Sequence, residues 1–149
     1  MTLAGRTEPD VERRLRQAVL AGEPLDLRGR DGKVDDPSSG NEWDASRTVR
    51  ASLLIDLLTA GDSIHRRGLW LFGARISGTL DLEAAELTCP VHLHECFFDE
   101  PVNLTEVSMR SLSLSGSHVP ALYAEQWSLA GWILITAIVA ALSGLIKRD

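Results

Sequence analysis

The sequence predicts a mainly β protein: a short right-handed β-helix of about two and a half coils, with helices before it and one transmembrane helix after it. Three observations support this fold class. Apolar residues recur every five or six residues between positions 69 and 119. Two stretches before this repeat space their apolar residues as helices do. The last quarter of the 149-residue chain is almost uncharged.

Residues 1–22 are predicted to form an amphipathic helix. Thr7 suits its N-cap, Pro9 its first turn and Gly22 its end. Its apolar residues follow helical spacing, and arginines occupy another face. We expect this helix to lie on the surface of the protein, with its apolar side turned inward.

Residues 23–61 predict a short strand, a polar loop and a second helix. The helix lies between Glu42 and Gly61. Either Asp44 or Ser46 suits its cap, because both side chains accept hydrogen bonds from free N–H groups in a first turn. A broad stripe of leucines runs along this helix. We expect the stripe to cover the first coil of the β-helix.

Residues 62–124 carry the repeat that predicts the β-helix. Each copy reads as an apolar residue, any residue, a leucine, two residues, a small or apolar residue, any residue and an apolar residue. This spacing fits neither the 3.6-residue period of a helix nor the alternation of a long strand. It predicts a pentapeptide-like repeat in which the chain turns a corner every five residues. The residues predicted to line the core of the β-helix are Leu71, Ile76, Leu82, Leu87, Leu93, Phe98, Leu104, Met109, Leu114 and Val119.

The alternative to the β-helix is an antiparallel β-sandwich of short strands. Hairpin signals such as Asn-Gly are absent from the repeat, which disfavours the sandwich. Stacked coils lie roughly 4.8 Å apart, so the predicted column is only on the order of 12 Å tall. Its last coil would leave unpaired backbone groups from Leu112 to Tyr123. The sequence therefore predicts a contact there with a second copy or with a protein partner.

Residues 125–149 are predicted to hold a transmembrane helix and a short basic tail. No residue from Gln126 to Ile146 is charged. About twenty helical residues span about 30 Å, the thickness of the hydrocarbon core of a bilayer. The alternative, a buried hairpin helix, would need more core around it than this chain provides. The residues that define the predicted membrane helix are Trp127, Gly131, Trp132, Ala137, Ala141, Gly144 and Ile146.

The predicted location is the cell membrane, crossed once, with the soluble part in the cytoplasm. The first twenty residues contain no secretory signal, which favours this orientation. Lys147 and Arg148 would favour a cytoplasmic C-terminus instead. The expected partners are the lipid bilayer and a protein or second copy at the last coil. The net charge of −6 disfavours binding to nucleic acid.

One cluster, Val-His-Leu-His-Glu-Cys, has the residue types of a metal site. His92, His94 and Cys96 are its candidate ligands, and in a strand the two histidines would point to the same side. A complete ligand set is not evident, so we expect these histidines to be surface residues and Cys96 a small core residue. The sequence predicts no catalytic residues and no cofactor, because it lacks redox, hydrolytic and nucleotide-binding motifs.

Several segments resemble a family of actinobacterial pentapeptide-repeat-like proteins often called membrane-associated oxidoreductases. The matching segments are Leu25-Asp-Leu-Arg, Arg47-Thr-Val-Arg-Ala, Gly73-Ala-Arg-Ile-Ser-Gly-Thr-Leu-Asp-Leu, Phe98-Asp-Glu-Pro and Gly131-Trp-Ile-Leu. The resemblance covers roughly residues 24–149 and implies a membrane protein. Members of that family usually continue for several more coils, so this chain resembles a shortened member.

The sequence thus predicts a membrane-anchored, non-catalytic scaffold or interaction module. Two alternatives stay open. The family resemblance implies a membrane-associated oxidoreductase, and the shortening suggests a non-functional remnant of a longer protein. Mimicry of DNA is disfavoured, because it needs a long acidic rod and the predicted column is short.

Overall fold

A computed structural model describes residues 8–29, 32–60, 64–124 and 128–129. The helices are α1 (Asp10–Ala21), α2 (Ala51–Thr59) and two short 3-10 helices (Pro37–Glu42 and Ala45–Arg47). The strands are β1 (Leu25–Asp26), β2 (Thr48–Arg50), β3 (Leu69–Phe72), β4 (Arg75–Ser77), β5 (Leu80–Asp81), β6 (Glu86–Leu87), β7 (Val91–His94), β8 (Phe97–Phe98), β9 (Val102–Asn103), β10 (Ser108–Met109), β11 (Leu112–Ser113), β12 (Leu122–Tyr123) and β13 (Ser128–Leu129).

The strands form four small sheets, and every pairing between the described strands is parallel. Sheet I has the order β1-β3-β7-β11, sheet II β2-β4-β8, sheet III β5-β9-β12 and sheet IV β6-β10-β13. From β3 to β11 the chain visits the four sheets in turn, and β12 and β13 then return to sheets III and IV. Leu71 on β3 accordingly pairs with Leu93 on β7, and Leu80 on β5 pairs with Val102 on β9. The alternative of an antiparallel sandwich is therefore wrong.

The inward residues of all four sheets belong to one apolar core. The ten repeat residues predicted to line this core are each at most 3% exposed. The two α-helices add further buried side chains, among them Leu15 from α1 and Leu54 from α2. Burying such a side chain stabilises the fold by about 1.5–3 kcal/mol relative to leaving it in water.

The prediction of a β-helix is wrong in the arrangement of its sheets. A short β-helix implies one continuous spiral of strands, whereas the described strands lie in four separate small sheets, and they form no closed or solenoid sheet. The strands are two to four residues long. Because the chain bends between such short strands, the hydrogen bonds of each strand reach only its neighbours within the same sheet.

The predicted transmembrane helix is also corrected. Within the described residues, no helix combines the length and apolar character needed to cross a membrane. Ser128 and Leu129, which fall inside the predicted span, form strand β13 and pair with Ser108 and Met109 of β10. The lack of charge at these two residues therefore does not indicate a membrane helix, because they form a strand that pairs with β10. The individual residues that define the predicted membrane helix, among them Trp127, Trp132 and Ile146, lie outside the described ranges.

The second helix is shorter than predicted. Thr48–Arg50 form strand β2 instead, and β2 pairs with β4 of sheet II. Thr48 and Val49 are β-branched, which favours a strand over a helix. Asp44 caps the 3-10 helix before β2, because its side chain accepts a hydrogen bond from the backbone N–H of Ser46. The cap of α2 is thus neither of the predicted residues.

Candidate binding site

Four aromatic rings lie on the outer side of sheet I. Trp70 and Phe72 alternate on β3 with buried leucines, and His92 and His94 alternate on β7 with Val91 and Leu93. The parallel register pairs Trp70 with His92 and Phe72 with His94. We call these four half-buried residues the aromatic face. Side chains of a strand point alternately to opposite sides, so burying the leucines places the four rings outside.

The rings of the aromatic face touch one another. Trp70 stacks on His92 with ring centroids 3.6 Å apart and planes 16° from parallel. Phe72 meets His94 edge to face, with centroids 5.2 Å apart. The guanidinium of Arg28 lies 4.9 Å from the centroid of the Phe72 ring. Aromatic pairs of this kind are each worth about 0.5–1.5 kcal/mol beyond the area they bury.

Both histidines of the aromatic face have lowered pKa values. Burial lowers the pKa of His92, and the neighbouring His94 adds to the effect. Burial also lowers the pKa of His94, and the charge of Glu95 opposes this only in part. Both imidazoles are therefore neutral near pH 7, so the face presents rings rather than cations.

The two histidines differ in their hydrogen bonds. Nε2 of His94 lies 2.9 Å from the hydroxyl of Ser113 on β11. Nδ1 of His92 is buried and has no hydrogen-bond partner in the described part of the chain. An unpartnered buried nitrogen destabilises the folded state by about 1–3 kcal/mol. The stack with Trp70 offsets part of this loss and keeps His92 in place.

An open cleft of about 480 Å³ adjoins the aromatic face. It is lined by Gly22, Pro24, Arg67, Trp70 and Phe72. Four of these residues are apolar or lack a side chain, and Arg67 supplies the charge. Ligand clefts in proteins have this character, with apolar and aromatic walls and a few placed polar groups.

The cleft is built on two tight turns. Gly22 ends α1 in a left-handed conformation with φ of 74°, and its N–H bonds the carbonyl of Ala18. The ring of His65 packs against it so closely that a Cβ on Gly22 would lie 2.6 Å from Nδ1. His65 in turn accepts a hydrogen bond from the backbone N–H of Arg67. The turn that carries Arg67 is therefore fixed to the end of α1.

Trp70 is held in place by the same turn. Its indole N–H donates a hydrogen bond of 2.8 Å to the carbonyl of Arg67. Gly68 lies between them, with φ of 84°, and a Cβ at that position would lie 2.0 Å from the carbonyl oxygen of Pro90. Both walls of the cleft are thus fixed by backbone contacts before any ligand binds.

The three candidate metal ligands, for which no complete site is expected from the sequence, do not come together. His92 and His94 lie on the outer side of β7, and their ring centroids are 5.4 Å apart. Cys96 is fully buried on the inner side, where its thiol faces the carbonyls of Leu71 and His94. Within the described ranges, no group of three or more histidine, cysteine, aspartate or glutamate residues is arranged to hold a metal ion.

Both cysteines are poor candidates for chemistry. Cys89 and Cys96 are free and buried. Burial raises the pKa of Cys89, and it raises the pKa of Cys96 to about 12. The thiolate is the reactive form of cysteine, so these thiols are unreactive at neutral pH.

The last strands of the sheets were the predicted place for a partner. β11 pairs with β7 and β12 pairs with β9, and no further described strand pairs with either on its other side. Tyr123 on β12 is 57% exposed. β11 and β12 are therefore the last described strands of sheets I and III, and each leaves backbone groups on one side without a partner strand in the part of the chain that the structure describes.

Sequence reasoning missed the aromatic face. Its signal lies in the middle position of two repeat copies, where Trp70 and His92 occupy a position that polar residues fill in other copies. The turn at 65–68, which carries Arg67 beside these rings, has no such signal. Comparison with protein-family models, with curated proteins and with solved structures finds no match to this chain, so its resemblance to the pentapeptide-repeat-like family stays a prediction.

Proposed function

We propose that this chain is a non-catalytic interaction module and that the aromatic face and its adjoining cleft contact a protein partner. The observation that carries the proposal is the stack of Trp70 on His92, in which Trp70 also lines an open apolar cleft. Tryptophan, tyrosine and arginine are the residue types that contribute most to protein interfaces. The cleft combines Trp70 with Arg67.

Rigidity supports the same proposal. The indole of Trp70 and the backbone of Arg67 are joined by a hydrogen bond, and His65 fixes the turn to α1. A surface that is already ordered loses little conformational entropy when it binds. The aromatic face is therefore suited to binding without rearrangement.

A second candidate surface consists of the last strands of two sheets, β11 in sheet I and β12 in sheet III. Its unpaired backbone groups, within the described ranges, would accept an added strand from a second copy or from another protein. The aromatic face is the better candidate, because it offers side chains that give specificity as well as affinity.

The oxidoreductase activity implied by the family resemblance stays a prediction. The unreactive thiols of Cys89 and Cys96 do not support it. Flavin or nicotinamide absorbance in the purified full-length chain would favour it over an interaction module.

Matched proline variants test the proposal. Pro24→Arg places a long charged side chain in the cleft, whereas Pro120→Arg changes another exposed proline, beside β12. We expect proteins that co-purify with the full-length chain to be lost from Pro24→Arg and kept by Pro120→Arg. The opposite result would assign the contact to the second surface, at β12, and no loss from either variant would contradict the proposed contact at the cleft.

A further inference from the structure

We infer that the segment Trp132-Ile133-Leu134 of this chain docks on the open side of β11 as a fifth strand of sheet I. These three residues lie outside the described ranges. Their placement is a question separate from the proposed contact at the cleft. Three observations support it: the direction of the backbone hydrogen bonds, the course of the chain after β13 and the register of the last strands.

Inward residues of the sheets donate their N–H groups toward the strand that follows in the same sheet. Val91 of β7 donates to the carbonyl of Ser111, 3.1 Å away. Three other inward N–H groups point the same way, those of Leu82, Val102 and Leu104. Leu112 and Leu114 hold the corresponding positions at the end of sheet I, where both are at most 2% exposed, and no described strand lies on that side of β11. Because buried N–H groups are almost always paired in folded proteins, a further strand is needed there.

The chain reaches this position directly after β13. The link from β10 to β11 is short, since β10 ends at Met109 and β11 begins at Leu112. Leu129 of β13 lies beside Met109 of β10. A link of the same length from Leu129 leads to Trp132, which places Trp132 beside Leu112 without a long connection.

The register of the last strands gives the same placement. β12 pairs with residues of β9 that precede it by twenty positions, and β13 is offset from β10 by the same number. This step leads from Leu112 to Trp132 and from Leu114 to Leu134. Both are apolar, as burial against the core requires, and Ile133 would lie beside Ser113 on the outer side of sheet I.

The added strand would close an edge at which other chains could pair. Open strand edges are templates for association between chains, and proteins cover them with their own segments. β11 would then accept no strand from another molecule, which leaves the cleft and β12 as contact surfaces.

Paired cysteines in the full-length chain test this placement. Neighbouring strands lie about 4.8 Å apart, a Cα separation that a disulfide can bridge. With Ser113→Cys and Ile133→Cys, oxidised glutathione should produce a disulfide within one chain, detected by mass spectrometry after digestion. The matched control joins Ser113→Cys to Leu134→Cys, whose side chain would face the core, and should give at least about fivefold less of the disulfide.

Three results would overturn the inference. The first is no disulfide between positions 113 and 133, and the second is an equal yield from the control pair. The third is a disulfide between two chains, which would assign the open side of β11 to a second copy. Cys89 and Cys96 do not compete, because both are buried.

Hydrogen exchange of single amides gives a second measurement. Ile133→Pro removes the N–H that would bond the carbonyl of Leu112, so the amides of Leu112 and Leu114 should exchange about tenfold faster or more. Leu134→Pro removes an N–H that would point away from β11 and should change them little. The amide of Ser113 faces β7, because N–H groups alternate along a strand, and shows whether each variant is folded.

Fast exchange of Leu112 and Leu114 in the original chain would contradict the fifth strand. An equal effect of the two proline variants would contradict it as well, because a helix in this segment would be disturbed by either proline. If Ile133→Pro unfolds the chain, the yields of the two cysteine pairs decide.

Discussion

The indole of Trp70 stacks on the imidazole of His92, with centroids 3.6 Å apart, across the two central strands of sheet I. The stack forms because the parallel register places these residues directly opposite each other. It also borders the cleft, so one pair of rings serves both the stability of sheet I and the proposed contact with a partner.

Replacing Trp70 tests the structural role of this stack. Trp70→Ala removes the ring and the bond from the indole to the carbonyl of Arg67, so we expect a loss of about 2–3 kcal/mol in the free energy of unfolding. Trp70→Phe keeps a ring over His92 and should lose about half as much. Urea denaturation of both variants measures the difference, and equal losses would show that the stack contributes nothing.

Stability should fall as the pH falls below about 6.5. His92 and His94 have lower pKa values in the folded state than in the unfolded chain, mainly because they are buried. Between the two values the unfolded chain binds more protons, so acid favours unfolding. The stability that depends on the neutral histidines is fully present above the ordinary pKa of 6.5. It is lost as the pH falls from there through the pKa values of the histidines in the folded protein.

A double variant isolates that effect. In the double variant His92→Gln/His94→Gln, the urea midpoint should change less between pH 7.5 and pH 5 than it does in the original chain. Glu12 does not interfere, because its carboxyl titrates below its ordinary value of 4.5. An unchanged pH slope in the double variant would contradict the assignment to these histidines.

The contact between Glu12 and Arg50 joins α1 to the start of α2. Glu12 is 1% exposed, and it accepts hydrogen bonds from the backbone N–H and from the guanidinium of Arg50. Burial alone would raise the pKa of Glu12, but the bonds to Arg50 and the charges of Arg50 and Arg16 outweigh burial and lower it. The buried carboxylate is therefore ionised at neutral pH.

Removing this carboxylate should be costly. We expect Glu12→Ala to lower the free energy of unfolding by about 2 kcal/mol, because hydrogen bonds to charged groups contribute about 1.5–3 kcal/mol. Asp10→Ala breaks the exposed pair of Asp10 with Arg13 on the same helix and should cost less than about 0.5 kcal/mol. Thermal or urea denaturation that ranks the two variants in the reverse order would contradict this account.

Two glycines with the same backbone angle allow two costs of a substitution to be measured separately: the cost of a left-handed conformation and the cost of a steric clash. Gly68 and Gly78 both have φ of 84°. A Cβ on Gly68 would lie 2.0 Å from the backbone oxygen of Pro90, whereas the nearest atom to a Cβ on Gly78 is 3.9 Å away. Gly78→Ala should cost about 1–2 kcal/mol, the cost of a left-handed conformation for a residue with a Cβ.

Gly68→Ala should cost more, because the backbone of Pro90 has to move as well. We expect more than about 3 kcal/mol and a disturbed cleft, since the turn that carries Arg67 ends at Gly68. Denaturation midpoints of the two variants, measured side by side, check this order. Equal losses would mean that the contact with Pro90 is easily relieved.

The inward positions of the repeat could be predicted from the sequence, but the outer features could not. The regular spacing of apolar residues identifies buried side chains such as Leu93 and Phe98, because each repeat copy turns the same positions toward the core. Corners leave a weaker signal. Glu95 and Glu106 adopt φ of 54° and 57° at corners where other copies use glycine, so composition does not reveal these turns.

The candidate site was harder to predict than the core. Two of its residues, Trp70 and Phe72, come from the repeat, but Gly22 and Pro24 come from the end of α1 and are joined to them only by the fold. The sequence predicts a core position for Cys96, because it occupies an inward position of the repeat, and Cys96 is fully buried. The corner at Glu95, with φ of 54°, separates it from His94 on the outer side of the chain.

Photo-crosslinking at the cleft shows directly whether a partner protein binds there. A benzophenone amino acid is placed at Pro24, at the rim of the cleft, and separately at Glu83, an exposed corner away from the aromatic face. We expect a discrete crosslinked partner protein from position 24 and none from position 83. Crosslinks of equal yield from both positions, or none from position 24, would contradict it.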